Sequence, residues 1–297
     1  MAFELFDKEE KVIAEAKALI DGDAFPDTKA AAHFAALLKD YEKLFRSTKK
    51  LVKLSDRSEA ELNKLAKSLD EKNKMLEDLS GTLSKYLSPQ IYDSIFSGAK
   101  TAAVGTARKK LTVFFSDIKD FTATTEGMEP EDMTYLLNDY LTKMTEIALE
   151  HGGTIDKYIG DAIMVFFGDP ETRGVKADAL AAVRMAIDMQ RRMIDLRAKW
   201  ADMGYSYPFH IRCGINTGYC NVGNFGSEQR IDYTIIGGQV NLAARLESIC
   251  APDGITIAYE TYSHVRDEFD AAPMDPIQVK GIKEPVKPFA VQGIFDD

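Results

Sequence analysis

A chain of 297 residues with 45% apolar content has ample material to bury a core in one or two domains. Its formal charge of -10 repels phosphate backbones and anionic lipid, and the short basic runs Lys49-Lys50 and Arg108-Lys109-Lys110 form no patch to reverse that, which argues against a nucleic-acid or membrane-surface protein. The three cysteines, Cys213, Cys220 and Cys250, are too few for a disulfide scaffold and lack the close pairing of a zinc site. With no apolar stretch near the roughly 18 residues of a bilayer span, and no basic-then-apolar layout at Met1-Asp7, a cytoplasmic location is expected.

Composition shifts near Ser88-Pro89, from an Ala, Lys, Glu and Leu-rich helical part to an α/β part. Before Phe25-Pro26, the positions Val12, Ala16, Leu19 and Ile20 predict a short amphipathic helix, with Gly22 as its stop. A second helical segment begins at Lys29. Within it Leu62, Leu65, Leu69, Lys72, Leu76, Leu79, Leu83 and Tyr86 step by three and four residues in alternation. That is a heptad seam, and it predicts either a parallel coiled coil joining two copies of the chain or a helix packed on its own domain. The narrowness of the stripe favours the dimer. The expected division is an N-terminal helical region over 1–60, a coiled coil and connector over 61–90, and an α/β domain over 91–297. His33 reads as a helix-surface residue.

Beyond Leu111 the pattern changes to alternating strands and helices. Leu111-Ser116 reads as a strand, and Met133, Leu136, Leu137, Tyr140, Leu141, Met144 and Ile147 mark the buried face of a helix that ends near His151-Gly152-Gly153. Thr154-Ile159 and Ala162-Phe167 predict two strands joined at Gly160-Asp161. A helix carrying Ala182, Ala186, Met189, Met193, Leu196 and Trp200 follows, and then a strand over Phe209-Ile215. The order βαββαβ predicts an α+β, ferredoxin-like domain with a mixed sheet, preceded by the all-α helical segment. A helix at Val240-Ile249, a strand at Ile255-Ala258 and a tail near Val279-Gly293 complete it.

Two carboxylates stand out in this frame. Asp117 closes the first strand on the face of Leu111, Val113 and Phe115, where an unpaired charge would be costly. Asp161 sits in the hairpin turn of a neighbouring pair of strands, so both can converge at one end of the sheet. Converging carboxylates suit Mg²⁺ or Mn²⁺. By spacing alone, either could equally be a turn or helix-cap residue.

The motifs in order are more specific. Phe114-Phe115-Ser116-Asp117-Ile118 through Phe121-Thr122 resembles the opening motif of the class III adenylyl and guanylyl cyclases. Asp156-Lys157-Tyr158-Ile159-Gly160-Asp161 resembles the family's second metal motif, and Arg212-Cys213-Gly214-Ile215-Asn216-Thr217-Gly218 its central strand. Tyr233 through Glu247, with Asn241-Leu242-Ala243-Ala244-Arg245 at its heart, is similar to the family's signature, and Val279-Lys280-Gly281 closes the set. The resemblance covers about Lys110 to Gly293.

It implies that Asp117, Asp161 and the backbone carbonyl of Ile118 hold two divalent cations, Mg²⁺ or Mn²⁺. It further implies that Asn241 orients the ribose, that Arg245 stabilises charge on the α-phosphate, and that Lys280 contacts the terminal phosphates. Phe121 and Thr122 belong to the implied substrate-binding set. Lys157 and Thr234 are the implied base-selecting pair, favouring ATP, since a guanine site in the family typically carries Glu and Cys there. Read without the resemblance, Arg245 is a solvated helix charge, Lys280 a surface lysine and Thr234 an ordinary sheet residue. Gly238 departs from the Asp that many relatives carry.

The implied activity is conversion of ATP to 3′,5′-cyclic AMP at the interface of a homodimer, with an upstream sensor or regulator acting through the N-terminal helices. A guanylyl cyclase and a non-catalytic signalling adaptor are the alternatives. A diguanylate cyclase is disfavoured, because the hairpin reads Tyr158-Ile159-Gly160-Asp161 and not Gly-Gly-Asp-Glu-Phe.

Overall fold

The computed structural model describes residues 4–22, 27–98, 105–205, 209–227, 229–279 and 284–294. The chain forms two compact units, Met1–Thr82 and Leu83–Asp297. Phe25, Pro26, Lys280 and Gly281 lie outside the described residues.

The first unit is a helical hairpin of α1 (Asp7–Asp21) and α2 (Thr28–Leu83). Phe6 meets Phe45 edge-on at 5.5 Å, while Lys17–Glu42 and Glu10–Lys49 ion pairs set α1 antiparallel to the start of α2. Neither helix buries a residue fully. Helix α2 runs unbroken through residue 60, and from Leu62 to Leu83 its seam leucines are all exposed, Leu65 by 66% and Leu76 by 62%. The seam is therefore left uncovered within its own unit. Helices draw most of their stability in proteins from packing an apolar face.

The second unit begins with α3 (Pro89–Phe96), where Pro89 takes the first turn, a position that needs no N–H donor. Then follow β1 (Gly105–Ile118), α4 (Phe121–Thr125), α5 (Pro130–Glu150), β2 (Thr154–Ile159), β3 (Ala162–Phe167), α6 (Val175–Asp202), β4 (Ile211–Ser227), β5 (Arg230–Ile236), α7 (Gly238–Ile249), β6 (Ile255–Ala258), α8 (Tyr259–Val265), β7 (Phe269–Pro273) and β8 (Pro288–Ile294). The sheet order is β2-β3-β1-β4-β6-β8-β7, with β5 paired to β4. The first four strands follow the expected split βαβ arrangement, all antiparallel, and the parallel β4–β6 pair makes the sheet mixed.

Strand parity sorts the core into two layers. Phe114 and Ile118 join Leu136, Tyr140, Met144, Met189 and Trp200 of α5 and α6 on one face. Leu111 and Val113 join Val222, Ile235, Val240 and Ala243 on the other, with Phe115 packed against them. That second face carries α7. Its close approach depends on Gly214, where a Cβ would stand 2.2 Å from the Glu247 backbone nitrogen.

Strand β4 is much longer than the expected Phe209-Ile215, continuing past Gly218, Gly223 and Gly226 to Ser227. Its pairing with β1 runs from Ile118↔Ile211 to Gly105↔Asn224, so ladder hydrogen bonds override the low strand propensity of glycine. The hairpin partner β5 and helices α3, α4 and α8, short elements with few periodic positions, are additions to the sequence expectation.

Candidate active site

Asp117 stands one residue from the end of β1, and Asp161 stands in the β2–β3 turn, which Gly160 makes with a φ of 66°. The Ile118 backbone N–H donates to Asp161 Oδ2 at 3.0 Å, tying the turn to the end of β1. Burial, reinforced by the neighbouring Asp117 carboxylate, pushes Asp161 up to about 6. The two acidic side chains are therefore neighbours, as the sheet topology requires.

Like charges held together need a counter-charge, and Arg212, opposite Asp117 in the β1–β4 register, supplies one. Its guanidinium lies 2.8 Å from Asp117 Oδ2 and 2.8 Å from Glu247 Oε1 on α7. Burial pushes Glu247 up to about 7, against the pull of Arg212 and with the Asp117 and Asp161 charges adding to it. Among the described residues no group of three or more His, Cys, Asp or Glu side chains is placed to hold a metal ion. The donor set is thus two carboxylates with backbone oxygen nearby, which fits a hard divalent cation whose remaining ligands are water or phosphate.

Asn241 and Arg245 lie one turn apart on α7, both exposed, while Leu242, Ala243 and Leu246 of the same helix face the core. Among the described residues, Arg245 has no ion pair. Neither side chain contacts Asp117 or Asp161 among the described hydrogen bonds and ion pairs, whereas Glu247, on the same helix, reaches Asp117 through Arg212. Phe121 packs edge-on against Phe209 at 5.7 Å, and Thr122 beside it is exposed. Lys280 falls outside the described residues.

Lys157 and Thr234 meet through a third residue. Asp156, whose side chain is 0% exposed, accepts hydrogen bonds from the Thr234 hydroxyl at 2.7 and 2.9 Å and from the Ile235 backbone N–H at 3.2 Å. Lys157 Nζ lies 3.2 Å from its Oδ1. Burial raises Asp156 above the ordinary carboxylate value, the Thr234 hydrogen bond opposing it. A cavity of about 740 Å³ adjoins this cluster, lined by Lys157 and Tyr158 on one side and by the connector Ser84 to Pro89 on another.

Asp156, Arg212 and Glu247 were given no role by their sequence motifs. Asp156 precedes a named lysine and Arg212 opens a named strand, but only cross-strand register shows what they touch.

A split βαβ sheet with an acidic pair at one end and an Asn/Arg helix face is a nucleotide-cyclase architecture. The chain matches the adenylate and guanylate cyclase catalytic domain over residues 105–293, and it belongs to that class III cyclase family. It is 36% identical over 226 residues to the terminal-differentiation-specific adenylate cyclase of Dictyostelium discoideum, covering 73% of this chain and 10% of that protein. The chain thus spans a small part of that relative's length. The crystal structure of the adenylyl cyclase CyaB from P. aeruginosa is 54% identical, with a TM-score of 0.62, covering 63% of this chain and 96% of that one. The guanylyl cyclase Cya2 structure is 37% identical, with a TM-score of 0.61 and coverages of 65% and 96%. Among the described residues, no helix is long and apolar enough to cross a membrane.

Proposed function

We propose that the chain is an adenylyl cyclase that converts ATP to 3′,5′-cyclic AMP and pyrophosphate in a parallel homodimer. The observation that supports this reading is that Asn241 and Arg245 stand exposed on α7 with no contact to Asp117 or Asp161, while a backbone hydrogen bond ties Asp161 to the end of β1. A second copy would bring the α7 face of one protomer to the carboxylates of the other, giving two equivalent sites by two-fold symmetry. The uncovered seam of α2 supports such a pairing.

In this reading Asp117, Asp161 and the Ile118 carbonyl would hold two divalent ions, Mg²⁺ or Mn²⁺, which when bound would supply Lewis-acid activation of the ribose 3′-hydroxyl and charge neutralisation for the triphosphate. The 3′-oxygen forms a bond to the α-phosphorus as the bond to the bridging oxygen of pyrophosphate breaks, and the hydroxyl proton passes to solvent. Asn241 orients the ribose for this in-line attack. Arg245 places a guanidinium fork on the α-phosphate where charge develops, and Lys280 meets the leaving phosphates. Phe121 and Thr122 lie at the substrate's approach to the acidic pair. Lys157 donates to adenine N1 and Thr234 accepts from the 6-amino group.

The adenine reading is supported by the pairing of Lys157 and Thr234 around one carboxylate, and by the 54% identity to an adenylyl cyclase. The helical region over 1–60 would receive a signal from an upstream regulator, and the 61–90 segment would pass it on. The connector and Lys157 line one cavity, so movement of one alters the surroundings of the other. Incubating the full chain with ATP or GTP plus Mg²⁺ or Mn²⁺, with chromatographic identification of products, tests the reading. Cyclic AMP as the main product is expected; cyclic GMP as the main product, or no cyclic product with either metal, would overturn it.

A further inference from the structure

We infer that Asp156 is a positioning residue that sets the hydrogen-bond polarity of the base pocket, tying up the Thr234 hydroxyl proton so that Thr234 can only accept from a base. This rests on the reading of Thr234 as a base contact and explains how a residue with ambivalent chemistry can discriminate.

A threonine hydroxyl carries one proton and two lone pairs, so alone it serves the 6-amino group of adenine or the 6-oxo group of guanine equally well. The structure removes the ambivalence. The expected alternation of β2 is broken by a register shift between Ile155 and Lys157, where Ile155 faces Val165 and Lys157 faces Met164 of β3. Asp156 is the extra residue. A bulge re-aims its side chain, and this one turns into the protein toward β5, with which β2 has no sheet pairing.

There the carboxylate meets two groups that can only donate, the Ile235 N–H at 3.2 Å and the Lys157 ammonium at 3.2 Å. They hold it as an acceptor, so the Thr234 hydroxyl, within 2.9 Å of both oxygens, supplies the next proton. What remains on Thr234 is lone pairs. An exocyclic amino group satisfies them, whereas an exocyclic oxygen meets them lone pair to lone pair. A buried polar mismatch of this kind discriminates far more strongly than a missing methylene. Lys157, with one donor committed to Asp156, keeps others for an acceptor at purine N1.

The test compares two ATP analogues of equal size at position 6, one with a methylamino and one with a methoxy group. They share N1 and differ only in whether position 6 offers a hydrogen. The full-length wild-type chain is expected to use the methylamino analogue with kcat/KM at least about 10-fold higher. Asp156→Asn, which turns one acceptor into a donor at unchanged shape, is expected to bring the ratio near one. Thr234→Val should do the same, and the double variant should match Thr234→Val alone.

A wild-type ratio near one overturns the inference without any variant, and so does a ratio that Asp156→Asn leaves unchanged in a folded protein. If Asp156→Asn does not fold, the wild-type ratio and its loss in Thr234→Val decide the polarity. A ratio that survives Thr234→Val shows instead that position 234 does not read the base, which is failure of the underlying reading. Equal loss of both analogues in Asp156→Asn would mark a merely structural residue.

Discussion

The two units of this chain handle apolar surface in opposite ways. The sheet unit closes over its core, with Trp200, Phe114, Tyr140 and Met189 fully buried, whereas α2 holds its leucine seam out in solvent along its C-terminal half. One unit buries its large apolar side chains and the other leaves them exposed. The proposed site residues repeat the contrast inside the sheet unit, where Asp161 is held by the Ile118 N–H and Asp117 by Arg212, while Asn241 and Arg245 are exposed. The lesson is that catalysis here is expected to depend on assembly more than on folding.

The sharpest break of that contrast is complementation. Asp117→Ala and Arg245→Ala should each lower kcat by about 10²-fold or more. Mixed in equal amounts and allowed to exchange, they should recover about a quarter of wild-type activity, because half the dimers are mixed and each mixed dimer has one intact site. No recovery, with exchange verified by labelled subunits, would mean that each chain builds its site alone.

Next in size is the seam. Leu76→Lys puts a charge where two copies are proposed to meet, and burying it unpaired costs a few kcal/mol, on the order of 100-fold in dimer affinity. Sedimentation should report a monomer at low micromolar concentration, while the melting transition of the sheet unit stays in place. A dimer of unchanged affinity would remove the coiled coil from the assembly.

A smaller effect follows from the acidic pair in the metal-free protein. Asp161 titrates near 6 when folded against an ordinary value of 3.8, so the folded chain binds its proton more tightly than the unfolded chain does. The sign follows by linkage: its favourable contribution is present below 3.8, fades as pH rises toward 6, and is absent above. Compared with wild type, Asp161→Asn should lessen the fall in melting temperature between pH 4 and 6, a difference of roughly 2–4 °C. At pH 7, Mn²⁺ should raise the wild-type melting temperature and leave Asp161→Asn nearly unmoved.

The smallest expected change is at Gly238, the first residue of α7, where an added Cβ meets nothing within 4 Å. Gly238→Asp should stabilise the sheet unit by about 0.5–1 kcal/mol through higher helix propensity and a carboxylate at the helix N-terminus. Thermal unfolding measures it, and a loss of stability would show that the Gly237-Gly238 backbone tolerates no side chain.

Much of this was legible before any coordinates, for reasons that can be named. Strands β2, β3 and β6 have the bounds that alternation and turn residues predict, because each is short and ends at a glycine, aspartate or helix start. Helices α5 and α6 were readable from apolar residues at three- and four-residue steps. The length of β4 was not, since its glycines argue locally against a strand and only the partner strand β1 outweighs them.

By itself, the order of residues determined the class of fold, the two acids that would face each other, and a helix with Asn241 and Arg245 on one side. Those follow from period and parity, which are properties of a single stretch of chain. Tertiary structure alone decided that Arg212 bridges Asp117 to Glu247, that Gly214 lets α7 settle on the sheet, and that a bulge turns Asp156 onto Thr234. Each of these joins residues from different elements through register, and register is a property of pairs of strands that no single stretch encodes.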